Sequence, residues 1–398
     1  MHNKNSAMAF IVLLGVVSLF SDMTHEAATS IKGAYLLILG ASASTIGFIS
    51  GVGELLGYGL RYLFGRLVDK THNYWGFMLL GYAVDVFAVP ALALVHRDGW
   101  IAACVLLVIE RIGKAIKKPA KNTILSFAAT QEGVGKSFAI QEALDQLGAF
   151  IGPLLLYVVM LYKHGDEYEV YNSAFAFLTL PAICTLAFLL FAKRRFPNPE
   201  AFEPEAKEEK KTGFVGKKSF YFYLAGISCF AFGFVDFPLV TMHLAKNKLF
   251  DDSVLPLLYS GAMLVDAVAA LFFGWLFDKM RTRALVISTA ISAFFAVFAF
   301  GMTSPAMIML GVALWGVGMG AQESIMKAAV ATMTSKEHRA SSYGAFEFFF
   351  GLAWFLGSWA LGAIYDYSLH GFIIISVAAQ LVALPCYLLS ERSLAHEG

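Results

Sequence analysis

Apolar residues occur in long runs along the chain, and short polar segments separate these runs. A helix needs about 20 residues to cross a bilayer, and twelve runs reach that length. Their approximate boundaries are 8–37, 44–65, 75–95, 99–120, 137–162, 170–192, 219–245, 254–277, 284–302, 305–331, 340–364 and 369–389. The pattern predicts an all-α membrane protein with twelve transmembrane helices.

One long polar segment divides these spans into two sets of six. It covers 193–218 and contains Pro197, Pro199 and Pro204, followed by the charged run 205–211. The sequence therefore predicts an N-terminal six-helix bundle at 1–192, a linker at 193–218, and a C-terminal six-helix bundle at 219–398.

Basic residues predict the orientation, because cytoplasmic loops of membrane proteins carry an excess of Lys and Arg. With the N-terminus inside, 21 of the 30 basic residues fall on the cytoplasmic side, five on the other side and four within spans. Both termini are therefore expected in the cytoplasm, in a prokaryotic inner membrane. The first apolar run is expected to be a retained span, since a small-residue cleavage site does not follow it before Ser21.

Composition excludes several other classes of protein. Hydrophobic residues make up 58% of the chain and charged residues 15%, well below the quarter that is typical of soluble domains. The net charge of +1 does not favour nucleic-acid binding. The four cysteines lie in apolar runs without zinc or disulfide spacing, and Gly133–Ser137 resembles a phosphate loop but has Thr130 where that motif needs glycine. We expect no enzyme activity, no cofactor and no nucleic-acid partner.

Short matches at nearly constant distance indicate that the two halves are duplicates. Gly65–Lys70 and Gly274–Lys279 are similar and lie 209 residues apart. At an offset of 205, Gly113, Glu142 and Gly152 match Gly318, Glu347 and Gly357.

Together these features resemble the major facilitator superfamily, across essentially the whole chain. Gly65, Arg66, Asp69 and Lys70 are similar to that family's signature between spans two and three, and Gly274, Asp278 and Lys279 to its weaker copy after span eight. We expect a tight loop here, with Asp69 near a helix N-terminus and paired with Arg66 or Lys70. The resemblance implies a latch between conformations, although a purely topological anchor is the alternative.

Two further motifs resemble those of antiporters. Arg111 in span four resembles the intramembrane arginine linked to proton transfer, but Ala115 replaces the glycine expected four residues later. Gly148, Gly152 and Pro153 in span five resemble an exporter motif, although such spacing also serves close helix packing. Export is favoured over import on this basis.

Ionisable residues inside the spans carry the main functional hypothesis. Each would cost at least about 2.5–3.5 kcal/mol facing lipid at the helix centre, so most are expected to face partners or a water-filled path. The candidates for substrate recognition and proton coupling are Asp22, His25, Glu26, Arg111, Lys114, Glu142, Asp145, Asp236, Glu323, Lys327 and Glu347.

Spacing relates some of these candidates to each other. Residues of spans four and five are expected to form an Arg/Lys–carboxylate network, which is either a permanent ion pair or one that breaks on protonation. Asp22 and Glu26 share a helical face, Glu323 and Lys327 form a possible helix pair, and Asp85 is expected to pair with Arg61.

The sequence therefore predicts a monomeric secondary transporter that moves a small solute by alternating access, with protons as the coupling ion. The first alternative is an exporter of divalent transition metal that uses Asp22, His25 and Glu26, with His243 as a further ligand. The second alternative is a non-transporting membrane receptor of the same fold.

Overall fold

The described part of the chain is almost entirely helical. The computed structural model describes residues 4–202, 217–333 and 339–397, without a few side chains such as that of Lys327. Its α-helices, in chain order, are α1 (Lys4–Ile38), α2 (Ala43–Thr71), α3 (Tyr74–Ala88), α4 (Trp100–Glu132), α5 (Val134–Tyr162), α6 (Glu167–Phe177), α7 (Thr179–Arg195), α8 (Lys218–Gly233), α9 (Phe237–Lys246), α10 (Leu255–Met280), α11 (Arg283–Ser292), α12 (Phe295–Gly301), α13 (Pro305–Met333), α14 (Arg339–Tyr367) and α15 (Leu369–Glu397). Strands do not occur among these residues.

All twelve predicted spans coincide with helical segments. Four of them are interrupted: α3 continues into the 3₁₀ turn Pro90–Leu94, and the pairs α6/α7, α8/α9 and α11/α12 each form one span. Ten segments of the described chain are long and apolar enough to cross a membrane by themselves. The other two spans, α2 and α4, are more polar than that criterion allows, and α4 holds much of the site described below.

The signature between spans two and three lies in a helix, so the predicted loop was wrong. Helix α2 extends to Thr71 and contains Gly65–Lys70, and α10 contains Gly274–Lys279. Asp69 therefore lies in the last turn of α2. The chain reverses one turn later at His72, which has a φ of 51°, and the Asn73 side chain caps α3 by accepting from the Gly76 N–H.

The described residues form two compact units. Unit 1 comprises those within Met1–Gly40, Leu56–Glu208 and Asp252–Ser260, and unit 2 those within Ala41–Leu55, Glu209–Asp251 and Gly261–Gly398. Unit 2 thus includes the first half of α2, and unit 1 includes the first turns of α10. The predicted division of the chain at 193–218 stays a prediction.

Glycines allow the helices of unit 1 to approach closely. A Cβ at Gly113 on α4 would lie 2.5 Å from the Asp85 backbone nitrogen, and one at Gly81 on α3 would lie 2.6 Å from the Lys117 nitrogen. Gly148 and Gly152 on α5 similarly meet the backbone carbonyls of Leu19 and Met23 on α1. The exporter-like glycines of span five therefore lie in the contact of α5 with α1.

Unit 2 contains a break within span seven. Helix α8 ends at Gly233 and α9 begins at Phe237, so three residues are not helical. Side chains of neighbouring helices satisfy the carbonyls that the break exposes: Trp315 donates to the Val235 oxygen at 2.8 Å, and Ser376 donates to the Gly233 oxygen at 2.7 Å. Such breaks are tolerated in membranes only where other groups satisfy the backbone.

Candidate functional site

Unit 1 buries a group of ionisable side chains from three helices, which we call the buried charge cluster. Its members are His25 on α1, Asp85 on α3, and Glu110, Lys114 and Lys117 on α4. His25 is 1% exposed and Asp85 is 0% exposed. Charges this deeply buried are stable only when they are paired.

The local sequence explains why these side chains meet. Asp85 follows Gly81 by four residues on α3, and Lys117 follows Gly113 by four residues on α4. Each glycine lies against the backbone that carries the charged residue of the other helix. Because residues four apart share a helical face, the close approach of α3 and α4 also brings the carboxylate and the ammonium group together.

His25 lies between two carboxylates. Its Nε2 is 2.7 Å from Asp85 Oδ1 and its Nδ1 is 3.0 Å from Glu110 Oε1, although neither contact is aligned as a linear hydrogen bond. A neutral imidazole has one N–H and one lone pair. The imidazole can therefore donate to only one of the two carboxylates when it is neutral.

Basic side chains balance the two carboxylates. Lys117 contacts Asp85, donates to Ser21 Oγ at 2.7 Å and lies 4.1 Å from the centre of the Tyr82 ring. On α4, the Glu110 carboxylate lies 3.3 Å from Lys114 Nζ and 3.5 Å from Arg111 Nε. Glu110 therefore pairs with its own helix as well as with α1.

His25, Asp85 and Glu110 are residue types that bind metal ions, and their ligand atoms lie within 4.8 Å of one another. However, the two carboxylates contact opposite nitrogens of one imidazole ring, and a single ion cannot use both nitrogens. Lys117 and Lys114 also place positive charge beside the same carboxylates. The arrangement suits hydrogen-bonded protons better than a chelated cation.

The predicted metal set of Asp22, His25, Glu26 and His243 is not assembled among the described residues. His25 contacts α3 and α4 instead, and Glu26 accepts a 2.6 Å hydrogen bond from Tyr259 on α10. His243 lies in unit 2, where its Nδ1 is 2.7 Å from the Tyr365 hydroxyl. Asp22, His25 and Glu26 occupy positions i, i+3 and i+4 of α1. Residues at this spacing do not form one ligand set when each contacts a different neighbouring helix.

A contact of the expected kind joins spans four and five. Lys121 on α4 lies 3.5 Å from the Asp145 carboxylate on α5, which also accepts from Gln141 at 2.9 Å. Asp22 interacts electrostatically with this pair. Glu142, in contrast, is exposed, and Lys114 pairs with Glu110 on the same helix.

The expected pairing of Asp85 with Arg61 was wrong. Asp85 contacts His25 and Lys117, whereas the Arg61 guanidinium lies over the Tyr58 ring at 4.8 Å from its centre. The sequence placed Asp85 at the periphery because span three was assumed to be peripheral. The small-residue contact of α3 with α4 brings it inside instead.

Asp236 is a candidate in unit 2 whose carboxylate has two hydrogen-bond donors among the described residues. It lies at the break before α9, and its carboxylate accepts from Trp354 Nε1 at 3.0 Å and from Ser358 Oγ at 2.9 Å. Glu347 is half-buried and Glu323 is exposed. The Lys327 side chain lies outside the described residues, so the predicted pair with Glu323 stays a prediction.

The basic residues of the predicted latch contact aromatic rings of their own helices. The Arg66 guanidinium lies 4.7 Å from the centre of the Tyr62 ring on α2. Lys279 Nζ lies 3.9 Å from the centre of the Trp275 ring on α10. Each aromatic residue precedes its basic partner by one helical turn, in keeping with the duplication.

The candidates named from the sequence did not include Asp85, Glu110, Lys117, Ser21 or Tyr259. A usable signal was present, since glycine precedes a charged residue by four positions on both α3 and α4. No comparable pattern marks Tyr259, whose contact with Glu26 joins residues 233 positions apart.

Comparison with known proteins places this geometry in context. The model of the Major Facilitator Superfamily matches residues 7–243 and 221–397. An uncharacterized protein from Mycobacterium tuberculosis is 35% identical over 387 residues, covering 95% of this chain and 92% of the relative. An uncharacterized MFS-type transporter from Methanocaldococcus jannaschii is 24% identical and covers 94% of each chain.

Solved structures share the fold at low sequence identity. A bacterial homolog of the human lysosomal transporter Spinster, in an inward-facing and unoccupied conformation, has a TM-score of 0.80 at 15% identity and covers 99% of this chain and 98% of that one. A variant of the nucleoside transporter NupG has a TM-score of 0.76 at 14% identity and covers 96% and 99%.

Proposed function

The chain belongs to the Major Facilitator Superfamily, and we propose that it is a proton-coupled antiporter that exports a small organic solute. The family and the apolar helices make it a multi-pass membrane transporter. The coupling ion, the direction of transport and the class of solute are parts of our proposal. The location of the protein in a prokaryotic inner membrane, with both termini in the cytoplasm, is also part of it.

The buried charge cluster is the observation that carries the proposal. A proton-coupled transporter needs a buried group that binds and loses a proton within the membrane, and that changes its partners when it does so. In this array the His25 ring nitrogens lie 2.7 and 3.0 Å from carboxylate oxygens of Asp85 and Glu110, and we propose that the coupling proton moves among these three groups. Intramembrane ionisable groups typically mark proton relays.

Loss or gain of a proton in this array would change the packing of three helices. If Asp85 is protonated, Lys117 loses its charged partner and keeps the Ser21 hydroxyl on α1. An uncompensated buried ammonium is costly, so the helices that carry Asp85, Lys117 and Ser21 are expected to rearrange. This links proton binding to a movement of α1 relative to α3 and α4.

Arg111, Lys121, Asp145 and Asp22 form the continuation of the cluster along α4, α5 and α1. In our proposal Asp145 and Asp22 conduct protons, Arg111 and Lys121 supply the positive charge beside the carboxylates, and Glu26 is a carboxylate of unit 1 that meets the solute. One structural neighbour is a nucleoside transporter, and that substrate is a property of the neighbour. Comparing the metabolites retained by cells with and without the protein would supply candidate solutes for this chain.

The test uses proteoliposomes with an imposed pH gradient and a fluorescent reporter of lumenal pH. Candidate solutes are added outside, and we expect each transported solute to dissipate the gradient. The His25→Gln variant should abolish this response, because a glutamine amide neither gains nor loses a proton as an imidazole does. The Ser292→Ala variant in unit 2 is the matched control and should behave like the unmodified protein. Solute flux that ignores the pH gradient would overturn the proton claim.

Divalent-metal export is the second candidate, because His25, Asp85 and Glu110 are possible ligands. The same vesicles loaded with a metal-sensitive dye test it. The position of the two carboxylates on opposite ring nitrogens predicts no response to metal. A metal signal that His25→Ala abolishes would instead favour this candidate.

A further inference from the structure

Helices α2 and α10 each belong partly to unit 1 and partly to unit 2. Along α2, the residues up to Leu55 lie in unit 2 and those from Leu56 lie in unit 1. Along α10, the residues up to Ser260 lie in unit 1 and those from Gly261 lie in unit 2. These changes of unit are 205 residues apart, close to the 209 that separate the duplicated signatures on the same two helices. The duplication therefore includes the change of unit.

The two halves of α2 are held by different units. In unit 2, the Asp366 carboxylate accepts a hydrogen bond from the Ser44 N–H at 2.9 Å. In the same unit, a Cβ at Gly51 would lie 2.8 Å from the Phe355 Cα on α14, so the two backbones are in direct contact. In unit 1, Val68 is fully buried among apolar side chains of α1, α3 and α4. Both ends of the helix are therefore fixed by packing.

Both sides of the change of unit in α10 are fixed as well. The Ser260 hydroxyl donates to the Phe150 carbonyl on α5 at 2.9 Å, which holds the first turns of α10 in unit 1. Beyond the change, a Cβ at Gly316 on α13 would lie 2.6 Å from the Ala262 carbonyl oxygen. The backbones of α10 and α13 therefore touch in unit 2, and Gly261 is the residue between these two attachments.

The glycines at the two changes of unit do not serve close packing among the described residues. A Cβ at Gly59 or Gly261 would meet nothing within 4 Å, and one at Gly57 would meet only the end of the Arg61 side chain, at 4.0 Å. Glycine is less favourable than alanine in a helix interior, so a glycine without a packing role weakens the helix around it. Helices α2 and α10 are therefore weakened where their two parts are held by different units.

We propose that Gly57, Gly59 and Gly261 are hinges at which α2 and α10 bend during transport. Transporters of this fold work largely by rigid-body movement of one bundle against the other. A helix whose parts are held by different units must then either bend or lose its contacts with one unit. Glycine makes bending the easier of these two changes. The inference follows from membership of the family and does not depend on the coupling ion or on the direction of transport.

An open glycine alone does not indicate a hinge. A Cβ at Gly344 on α14 would also meet nothing within 4 Å, but α14 lies entirely within unit 2. The proposal depends on the coincidence of open glycines with a change of unit, which occurs on both α2 and α10. Gly344→Ala is therefore the matched control for the substitutions described next.

Hydrogen exchange measured by mass spectrometry on the full-length protein tests the hinges without a known solute. The N–H groups of 57–63 and of 261–265 bond across the proposed hinges, since each helical N–H bonds four residues back. We expect Gly57→Ala, Gly59→Ala and Gly261→Ala each to slow the exchange of these amides about two- to fivefold, because alanine stabilises the straight helix. Gly344→Ala should slow only the amides of its own turn, 344–348.

Transport separates a hinge from an ordinary weak point of a helix. All four alanine variants should raise the unfolding temperature in detergent. The three hinge variants should nevertheless slow solute flux in proteoliposomes about two- to fivefold each, because the bent form becomes harder to reach, whereas Gly344→Ala should leave flux unchanged. Unreduced flux in the Gly57→Ala/Gly59→Ala and Gly261→Ala variants overturns the inference.

A glycine introduced beside the first hinge tests whether flexibility or small size matters. Leu60→Gly, or Leu56→Gly on the other side, should restore flux to the Gly57→Ala/Gly59→Ala variant, because the bend can move by one residue. If neither restores it, positions 57 and 59 must be small rather than flexible, and the inference is overturned. Flux that ignores the pH gradient in the unmodified protein would instead overturn the proposed proton coupling and leave the hinges in place.

Discussion

The two units have the same glycine contacts but opposite side-chain chemistry around them. Gly113 in unit 1 faces Asp85, and Gly318, 205 residues later, faces Ser292 in unit 2. Gly152 meets the Met23 carbonyl, and Gly357 meets the Phe232 carbonyl. The matched glycines therefore lie in close helix contacts in both units.

The positions around these contacts are charged in unit 1 and mostly aromatic in unit 2. At the offset of 209 residues, His25 corresponds to Phe234. At the offset of 205 residues, Glu110 corresponds to Trp315 and Lys117 to Gln322. Where His25 approaches Glu110 at 3.0 Å, the Phe234 and Trp315 rings stack with their centres 5.6 Å apart.

This difference indicates that the two duplicated units have different roles. An aromatic stack is stable with no change in protonation, whereas an imidazole between two carboxylates depends on it. We infer that unit 1 carries the proton chemistry, while the equivalent region of unit 2 is a rigid support for the break at Asp236.

The largest effect is expected when Lys117 in unit 1 is replaced by glutamine, the residue at the equivalent position of unit 2, Gln322. The Lys117→Gln variant removes the ammonium beside Asp85 and leaves its carboxylate with His25 but without a lysine partner. Breaking a buried pair in this way typically costs about 3–5 kcal/mol. Thermal unfolding in detergent should show that loss, and proton-driven flux should disappear; an unchanged unfolding temperature would contradict the buried pair.

A smaller effect is expected where the backbones touch. The Gly113→Ala variant would place a Cβ 2.5 Å from the Asp85 backbone nitrogen, and Gly318→Ala would place one 2.7 Å from a carbon of the Phe234 ring. Overpacking of this kind costs about 1–3 kcal/mol. Gly113→Ala should be the worse of the two and should also reduce flux, because backbone cannot move aside as a ring can. If Gly113→Ala and Gly318→Ala lowered the free energy of unfolding equally, this expected difference between the two units would be contradicted.

The matching change in unit 2 should be mild. Gln322 donates to Thr289 Oγ1 at 3.3 Å, so Gln322→Leu loses one neutral hydrogen bond, worth about 0.5–1.5 kcal/mol. Its proton-driven flux should stay close to that of the unmodified protein, in contrast to Lys117→Gln. Loss of flux in Gln322→Leu would show that the division of tasks between the units is incorrect.

The smallest effect is expected outside both regions, at Asp166. The backbone N–H of Glu169 and the Arg97 side chain hydrogen-bond to this carboxylate and hold its pKa below the usual value. Its contribution to stability is therefore present above the ordinary pKa of aspartate, about 3.9, and is lost as the pH falls below it. Comparing the unfolding of Asp166→Asn and the unmodified protein from pH 3 to 7 should show a small difference that vanishes at the acid end.

Predictions from the sequence were best where a repeated pattern decided the outcome. The twelve spans follow from apolar runs, since a membrane forces any such run into a helix. The glycine matches at 205 residues indicated the duplication, and in the structure these glycines lie in close contacts in both units. The helix ends were less accurate: α2 continues through Gly65–Lys70 because polar residues outside an apolar run can also remain helical.

The membership of the site could not be predicted in the same way. Asp22, His25 and Glu26 are close together along the chain, which suggested one ligand set. In the fold they contact different neighbours, because each α1 side chain meets whichever helix lies in its direction. Asp85 joins the cluster since Gly81 and Gly113 let α3 approach α4, and Tyr259 joins Glu26 across 233 residues.

By itself, then, the sequence determined the class of protein, its helices and its internal duplication, because these depend on local hydrophobicity and spacing. Only the tertiary structure decided which charges are partners. A helix places several ionisable residues on one face, but the free energy of burying each depends on what the adjacent helix presents within about 3 Å. That distance is set by packing, and in this protein glycines on α3, α4 and α5 set it.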